Sequence, residues 1–145
     1  MLVQQILNSK SKTGVMTVVS HAAVSDAARM LAENRIGSLV VSDDDGATAD
    51  GILSERAIVR ELAKIGAPCL NKPVSAYMTR DVVTCTSRSS AEDVLRTMTD
   101  GRFRHMPVVD KGMMVGLVTL GDVVKAQLAE LSMEKQALEG MIMGH

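Results

Sequence analysis

The stretch Gly51-Ile52-Leu53-Ser54 returns 65 residues later as Gly116-Leu117-Val118-Thr119, and this recurrence decides the fold. Upstream of it, Thr17-Val18-Val19-Ser20 aligns with Thr84-Cys85-Thr86-Ser87 at an offset of 67. The segments that precede these stretches also match, because Val3-Gln4-Gln5-Ile6-Leu7 resembles Val74-Ser75-Ala76-Tyr77-Met78. The 67-residue offset also pairs single positions: Asp26 with Asp93, Arg35 with Arg102, and Asp43 with Asp110. Two copies of one supersecondary unit therefore occupy most of the chain.

Each copy predicts the element order β-α-β-β-α. Extended stretches at residues 17–19 and 82–85 precede helices with apolar residues at helical spacing. Two apolar strands follow in each copy, at 38–41 with 51–53 and at 105–109 with 114–119, and a second helix starts at Ser54 and near Leu120. A unit of about 60 residues buries its apolar face poorly when it is alone. We therefore predict an α+β fold in which the two units pack sheet to sheet with pseudo-twofold symmetry and leave two clefts between them.

The domain boundaries follow from the repeat. We predict a first repeat with its lead-in over residues 1–71, a second over 72–130 and a helical tail over 131–145. The chain from Gln127 to Met143 keeps apolar residues, which indicates that the last helix continues and packs on a second copy or back on the body. These residues are Leu128, Leu131, Leu138 and Met141–Met143. A second copy would cover this apolar surface, and we predict a homodimer.

Composition excludes several classes of protein. A net charge of -1 and the absence of Trp argue against a nucleic-acid surface built on a basic field or aromatic stacking. Cys69 and Cys85 are far apart and belong to no Cys/His cluster, so we expect reduced thiols and no metal site. No apolar run has the length of a membrane span, and the first residues do not look like a signal peptide. We expect a soluble cytoplasmic protein.

The duplicated pattern resembles a pair of CBS domains. Ile36-Gly37-Ser38-Leu39-Val40-Val41 in one copy and Arg104-His105-Met106-Pro107-Val108-Val109-Asp110 in the other carry the resemblance, together with Gly116-Leu117-Val118-Thr119-Leu120-Gly121-Asp122. It extends over roughly residues 3 to 130. The resemblance implies a regulatory module that binds an adenine nucleotide, S-adenosylmethionine or NAD between its repeats and forms dimers.

Thr119 and Asp122 are the residues best suited to hold a nucleotide. Thr119 lies at a predicted helix start, where unpaired backbone N–H groups favour an anionic ligand. Asp122, three residues later, returns to the same side of the first turn and could accept both hydroxyls of a ribose. The family's ribose-binding motif has this spacing. The alternative is an ordinary helix cap. In the first repeat Ser54 keeps the hydroxyl, but Ala57 stands where the family has the aspartate, which predicts a weaker second cleft.

Basic residues around the predicted strand at 105–109 are candidates for neutralising phosphate. Arg104 and His105 precede Pro107, where the family commonly faces the phosphates, sometimes in the cleft across the pair. Arg102 belongs with them, and Arg56 and Lys125 on the closing helices are weaker candidates. The alternative for Arg102, Arg104 and His105 is a solvated loop charge. The resemblance also implies that Thr84 and Thr17 line the adenine pockets, and that Met106 and Ile36 form apolar walls. The predicted main site is Thr84, Arg104, His105, Met106, Pro107, Thr119 and Asp122, and the second is Thr17, Ile36, Gly37, Ser38, Ser54 and Arg56.

Three classes of function can be weighed at this point: a ligand-binding regulatory module, a structural or interaction module, and an enzyme. A regulatory module that senses an adenine nucleotide fits best, with AMP favoured and NAD(H) possible because a dinucleotide could reach both clefts. A structural or protein-interaction module without a ligand is the alternative, which Ala57 favours and Asp122 opposes. Enzyme signatures such as GxSxG, a P-loop or HExxH are absent from the sequence, so we predict no catalytic residues and no enzyme activity.

Overall fold

The computed structural model describes residues 1–10 and 14–143, which form five helices and five strands. The helices are α1 (Val3–Ser9), α2 (Val24–Asn34), α3 (Glu55–Ile65), α4 (Ala91–Gly101) and α5 (Leu120–Ile142). The strands are β1 (Thr17–Val18), β2 (Ser38–Val41), β3 (Gly51–Ser54), β4 (His105–Asp110) and β5 (Met113–Thr119). Their order along the chain is α1-β1-α2-β2-β3-α3-α4-β4-β5-α5. Short 3-10 turns at Ala67–Asn71 and Val74–Ala76 join the halves. The α+β duplicate is therefore confirmed, and Gly144 and His145 of the predicted tail lie outside the described residues.

The two sheets are not equal in size. In the first, β1 pairs in parallel with β2, and β2 pairs antiparallel with β3. In the second, β4 and β5 form an antiparallel pair, and the segment predicted as a strand at 82–85 contributes only a single parallel bridge between Cys85 and Val108. The prediction of a strand at 82–85 is wrong, because in this segment Cys85 makes the backbone bonds to β4: its N–H donates to the Pro107 carbonyl, and its carbonyl accepts the Val109 N–H. Val82 and Val83 border a cleft instead.

Pseudo-twofold symmetry is visible in matching hydrogen bonds. The Glu55 N–H donates to the Gly37 carbonyl at 2.9 Å, and the Leu120 N–H donates to the Arg104 carbonyl at 2.8 Å. Helices α2 and α4, which occupy equivalent places in the two repeats, both end at an arginine in the left-handed region: Arg35 has φ 53° and Arg102 has φ 58°. Equivalent residues thus occupy equivalent backbone positions, even where their side chains differ, as at Glu55 and Leu120.

The lead-in segments are exchanged between the repeats. Val3 and Ile6 of α1 are buried in the core of the second repeat, and Val74, after the linker, is buried in the core of the first. The exchange brings a lead-in side chain over a glycine in each half. A Cβ atom on Gly51 would lie 2.7 Å from Met78 Sδ, and one on Gly116 would lie 2.7 Å from Leu7 Cδ2. These two glycines are therefore required for close approach, and each repeat needs the other's lead-in to complete its core.

Helix α5 extends far beyond the body. Val123 and Ala126 are buried against the second repeat, but the residues from Leu131 onward are exposed, except that Gly140 is half-buried. Of the two packing modes predicted for the tail, packing back on the body is wrong, because the helix carries Leu131 and Leu138 away from it. Among the described residues, no helix is both long enough and apolar enough to cross a membrane.

Candidate functional site

Two clefts lie at the N-termini of α3 and α5, where the repeats meet. Each helix begins with a hydroxyl residue as its N-cap: Ser54 Oγ accepts a hydrogen bond from the Ala57 N–H, and Thr119 Oγ1 accepts one from the Asp122 N–H, both at 3.1 Å. The remaining N–H groups of each first turn give that end of the helix a partial positive charge. We name the clefts after these caps, the Thr119 cleft and the Ser54 cleft.

The Thr119 cleft has a volume of about 560 Å³, within the range of pockets for small organic ligands. Its walls come from both repeats. The first repeat contributes the segment before β1 and the end of α2 with the start of β2, and the second contributes β5 and the start of β4. The lining residues are Lys10, Gly14, Val15, Met16, Asn34, Arg35, Ile36, Gly37, Ser38, His105, Leu117 and Thr119. The cleft thus offers both apolar surface and hydrogen-bonding groups.

Ser38 presents a hydroxyl group that the protein does not satisfy. The residue is only 4% exposed, and its Oγ finds no hydrogen-bond partner within the residues that the structure describes. Ser38 also lines the Thr119 cleft. A buried hydroxyl without a partner is costly, and most buried side-chain polar atoms in proteins are paired. The position therefore suits a ligand atom that can donate or accept a hydrogen bond.

Asp122, the predicted ribose anchor, is engaged by two neighbours. Its Oδ2 accepts a hydrogen bond from the Thr119 N–H at 3.0 Å and one from Lys10 Nζ at 2.9 Å. Burial alone would raise the pKa of Asp122, but the bonds from Lys10 and Thr119 outweigh burial and hold the pKa below its usual range. The carboxylate is thus ionised at neutral pH. It closes a capping box, which was the alternative interpretation of this motif, and its role toward a ribose stays a prediction.

The Ser54 cleft has a volume of about 420 Å³ and is bordered by four arginines. Its walls are the start of α3, the linker segment before the second repeat and the turn before β4. Basic residues around it are Arg56, Arg60, Arg102 and Arg104, with Glu55 and Asp81 as the acidic members. Ala57 lines this cleft at the position equivalent to Asp122, so no carboxylate stands behind the Ser54 cap. The cleft combines a cationic rim with a helix N-terminus.

His105 and Gly37 line both clefts and form the partition between them. A Cβ on Gly37 would lie 3.6 Å from His105 Cε1, so the imidazole packs directly against the Gly37 backbone. Burial lowers the pKa of His105, and Arg104 lowers it further, against the opposing effect of Glu55 and Asp122. The imidazole is therefore mostly neutral at pH 7 and can act as a hydrogen-bond donor or acceptor toward either cleft.

The structure divides the predicted site residues differently from the sequence-based grouping. Thr119 shares a cleft with Ile36, Gly37 and Ser38, whereas Arg104 shares one with Ser54 and Arg56. Thr119 and Arg104, predicted for one site, thus belong to different clefts. The reason is the pseudo-twofold axis, which places the strand start of one repeat beside the helix start of the other.

Five predicted residues are absent from the linings of both clefts as the described residues define them. The first is Asp122, which lies behind the Thr119 cap and accepts the Thr119 N–H. Met106 is 1% exposed in the second hydrophobic core, so its prediction as a wall of the adenine pocket is wrong. Pro107 is buried inside β4, where its carbonyl accepts the Cys85 N–H. Thr17 and Thr84 are absent from the lining of both clefts as far as the described residues define it.

Lys10 is the main residue that the sequence did not reveal. It lies 112 positions before Asp122, at the end of α1, and no motif marks it. Only the exchanged lead-in brings its ammonium group to the Thr119 cleft. Asn34, which lines the same cleft, and Tyr77, which lines the Ser54 cleft, were missed because no motif marks them either.

Comparison with known proteins agrees with this architecture. The family model described as "CBS domain" matches twice, over residues 4–64 and 74–129. The chain belongs to the CBS domain family. The two matched segments correspond to the two repeats, so the protein is a CBS pair, and the predicted resemblance is confirmed.

Individual relatives support the same assignment. The chain is 31% identical to the mitochondrial CBS domain-containing protein CBSX3 of Arabidopsis thaliana, over 98% of this chain and 72% of that protein. The crystal structure of the CBS-domain protein ATU1752 from Agrobacterium tumefaciens superposes with a TM-score of 0.82 at 38% identity, over 88% of this chain and 99% of that one. The CBS pair of protein MJ0100, in complex with 5-methylthioadenosine and S-adenosylmethionine, gives a TM-score of 0.77 at 27% identity, over 90% of this chain and 98% of that one.

Proposed function

We propose that this CBS pair is a non-catalytic regulatory module that binds an adenine mononucleotide, AMP first, with its adenosine part in the Thr119 cleft. The observation that carries the proposal is the unsatisfied Ser38 hydroxyl, which lines the same cleft as the Thr119 cap and Lys10. Val15, Met16 and Ile36 supply the apolar surface that a purine ring needs. Cys69 and Cys85 are buried free thiols, which fits our placement of the protein in the reducing cytoplasm.

The Asp122–Lys10 pair supplies a way to receive both halves of the ligand. The bonds from Lys10 Nζ and from the Thr119 N–H both go to Asp122 Oδ2, so Oδ1 can accept ribose hydroxyls while Lys10 keeps its place. The Lys10 ammonium borders the cleft, where it can pair with the phosphate. Asp122 thus positions the Lys10 ammonium at the cleft, and Lys10 makes an anionic ligand preferable to an uncharged nucleoside.

The ligand class is supported by the relative that holds adenosine compounds. The MJ0100 pair binds 5-methylthioadenosine and S-adenosylmethionine, which share the adenosine scaffold with AMP but carry sulfur in place of phosphate. In our chain, Lys10 and Arg35 border the Thr119 cleft, and four arginines border the other. A sulfonium cation would be repelled by these groups, whereas a phosphate would pair with them.

NAD(H) is a second candidate because the clefts adjoin. His105 and Gly37 line both, so a dinucleotide with adenosine in the Thr119 cleft could direct its second phosphate past His105 toward the arginines of the Ser54 cleft. A dinucleotide would bind once per chain and contact both clefts. AMP, by contrast, would occupy the Thr119 cleft alone, because the Ser54 cleft has Ala57 at the position equivalent to Asp122.

Calorimetric titration with AMP, NAD, S-adenosylmethionine and adenosine tests the proposal. We expect AMP to bind tightest and adenosine at least about tenfold more weakly, since it lacks the charge-assisted bonds to Lys10. Ser38→Ala should weaken AMP binding by roughly tenfold, the value of one hydrogen bond. Ser25→Ala, on α2 and away from both clefts, is the matched control and should not change it.

Two outcomes would reject the proposal. If no adenine compound binds at millimolar concentration, the chain is a structural or protein-interaction module. If S-adenosylmethionine binds more tightly than AMP, the cationic rim does not select the ligand, and the role of Lys10 is wrong.

A further inference from the structure

Exposed apolar residues on α5 follow a regular heptad pattern. Starting at Val124, the steps along the helix are four, three, four, three and four residues, and they pass through Val124, Leu128, Leu131, Lys135, Leu138 and Ile142. The apolar members of this series are between 39% and 84% exposed. A 3.5-residue spacing of apolar residues is the signature of a coiled-coil seam. We call these six residues the α5 seam.

The α5 seam is separate from the face that α5 uses in its own fold. Val123 and Ala126 contact the second core and lie more than about 90° around the helix from the centre of the seam. The helix has 23 residues and is therefore about 34 Å long, of which the seam occupies most. An apolar stripe of this length has no covering element within the described part of the chain. It is available to another helix without any change in the body.

We propose that α5 of one chain pairs with α5 of a second copy as an antiparallel two-stranded coiled coil, which is a defined contact for the predicted homodimer. Antiparallel alignment stacks Val124 on Ile142, Leu128 on Leu138, and Leu131 on Lys135 of the other copy. All six seam positions then find a partner in the same register. Lys135, the one polar member, lies beside Leu131 near the centre, and a single polar seam residue of this kind fixes register.

Charges beside the seam favour the antiparallel arrangement. Lys125 and Glu139 occupy equivalent flanking positions near opposite ends of the seam. Antiparallel pairing brings Lys125 of each copy next to Glu139 of the other, which makes two attractive contacts against one repulsive contact between the two copies of Glu134. Parallel pairing instead places Glu134 next to Glu139 of the other copy, which makes two repulsive contacts and brings no attraction in return. The occupant with matching charge is therefore a second copy in reverse direction.

Sedimentation velocity over a range of concentrations tests whether the seam forms the dimer. We expect a dimer for the unaltered chain. Leu131→Lys should raise the dimer dissociation constant by roughly a hundredfold or more, because each dimer loses two buried leucines and gains two buried charges. Met133→Lys is the matched control, since Met133 is 65% exposed, like Leu131 at 59%, but points away from the seam. It should leave the constant unchanged.

Glu139→Lys distinguishes the two directions by the sign of its effect. In an antiparallel pair it places a second ammonium group beside Lys125 of the other copy and weakens the dimer, and the double variant Lys125→Glu/Glu139→Lys restores the dimer. In a parallel pair the same change relieves the repulsion from Glu134 and strengthens the dimer. The proposal is overturned by a monomeric wild type, by a dimer that tolerates Leu131→Lys, or by strengthening on Glu139→Lys. Nucleotide binding by the Leu131→Lys chain is measured separately. A negative result for the dimer therefore does not contradict the proposed nucleotide binding.

Discussion

Replacing Asp122 by alanine should destabilise the fold even without a ligand. The change removes the reciprocal half of the capping box, the bond from the Thr119 N–H at 3.0 Å, and the ion pair with Lys10 at 2.9 Å. Loss of a cap costs about 1 kcal/mol. The Lys10 pair is only partly exposed at both ends and adds up to about 1 kcal/mol. We therefore expect a loss of about 1–2 kcal/mol in the free energy of unfolding, or roughly 3–6 °C in melting temperature.

Asp93→Ala is the matched control for this change. Asp93 stands at the same position of α4, three residues after the N-cap Ser90, but its side chain is 68% exposed and pairs with the neighbouring Arg96. It makes no bond back to the N-cap N–H, since α4 has no capping box. We expect less than about 0.5 kcal/mol for this variant, the usual range of a surface substitution. The difference between the two variants isolates the capping box and the Lys10 pair from the general preference for an acid at a helix start.

Urea denaturation followed by circular dichroism measures both variants, at pH 7 and in steps down to pH 3. The folded-state pKa of Asp122 is lowered, so its contribution is complete above the unfolded-state pKa of about 4 and is lost as the pH falls through the folded-state pKa. The gap between wild type and Asp122→Ala should therefore narrow with acidification. A gap that stays constant, or one no larger than that of Asp93→Ala, would refute the assigned role of the carboxylate.

The same geometry supports three more predictions. Gly51→Ala should destabilise the fold by about 1–3 kcal/mol, and more than Gly116→Ala does. The new Cβ at position 51 would lie 2.9 Å from the rigid Thr79 carbonyl, whereas the nearest atoms at position 116 belong to the mobile end of Leu7. Equal melting temperatures of the two variants would contradict this. Ala57→Asp should raise the calorimetric stoichiometry from one AMP per chain toward two, since it adds the missing carboxylate behind Ser54; an unchanged stoichiometry would show that the acid is not what limits the Ser54 cleft. The pKa of His105, followed by NMR, should lie below 6.5 because burial disfavours the imidazolium cation. The contribution of the buried neutral imidazole to the free energy of unfolding should be lost as the pH falls through that pKa. A pKa above 6.5 without ligand would be the contrary result.

Much of the architecture could be predicted from the sequence. The recurrence of Gly51–Ser54 at Gly116–Thr119 set the number of units and their order, because an internal repeat implies a repeated local structure. Hydroxyl residues at Ser54 and Thr119 located the helix starts, since N-capping is a local interaction between neighbours in the chain. The prediction of a strand at 82–85 was wrong because a strand forms only where a neighbouring strand pairs with it, and that pairing depends on the tertiary structure.

Only the tertiary structure decided how these parts form a site. Each cleft joins the helix start of one repeat to the strand start of the other, so Arg104 shares a cleft with Ser54, and Thr119 shares one with Ser38. Lys10 reaches Asp122 across 112 positions because the lead-in helix packs on the opposite repeat. Capping and periodicity depend on residues a few positions apart, and the sequence by itself determined those. The composition of a cleft between two symmetry-related halves depends on contacts between residues far apart in the chain, which follow from packing and not from local pattern.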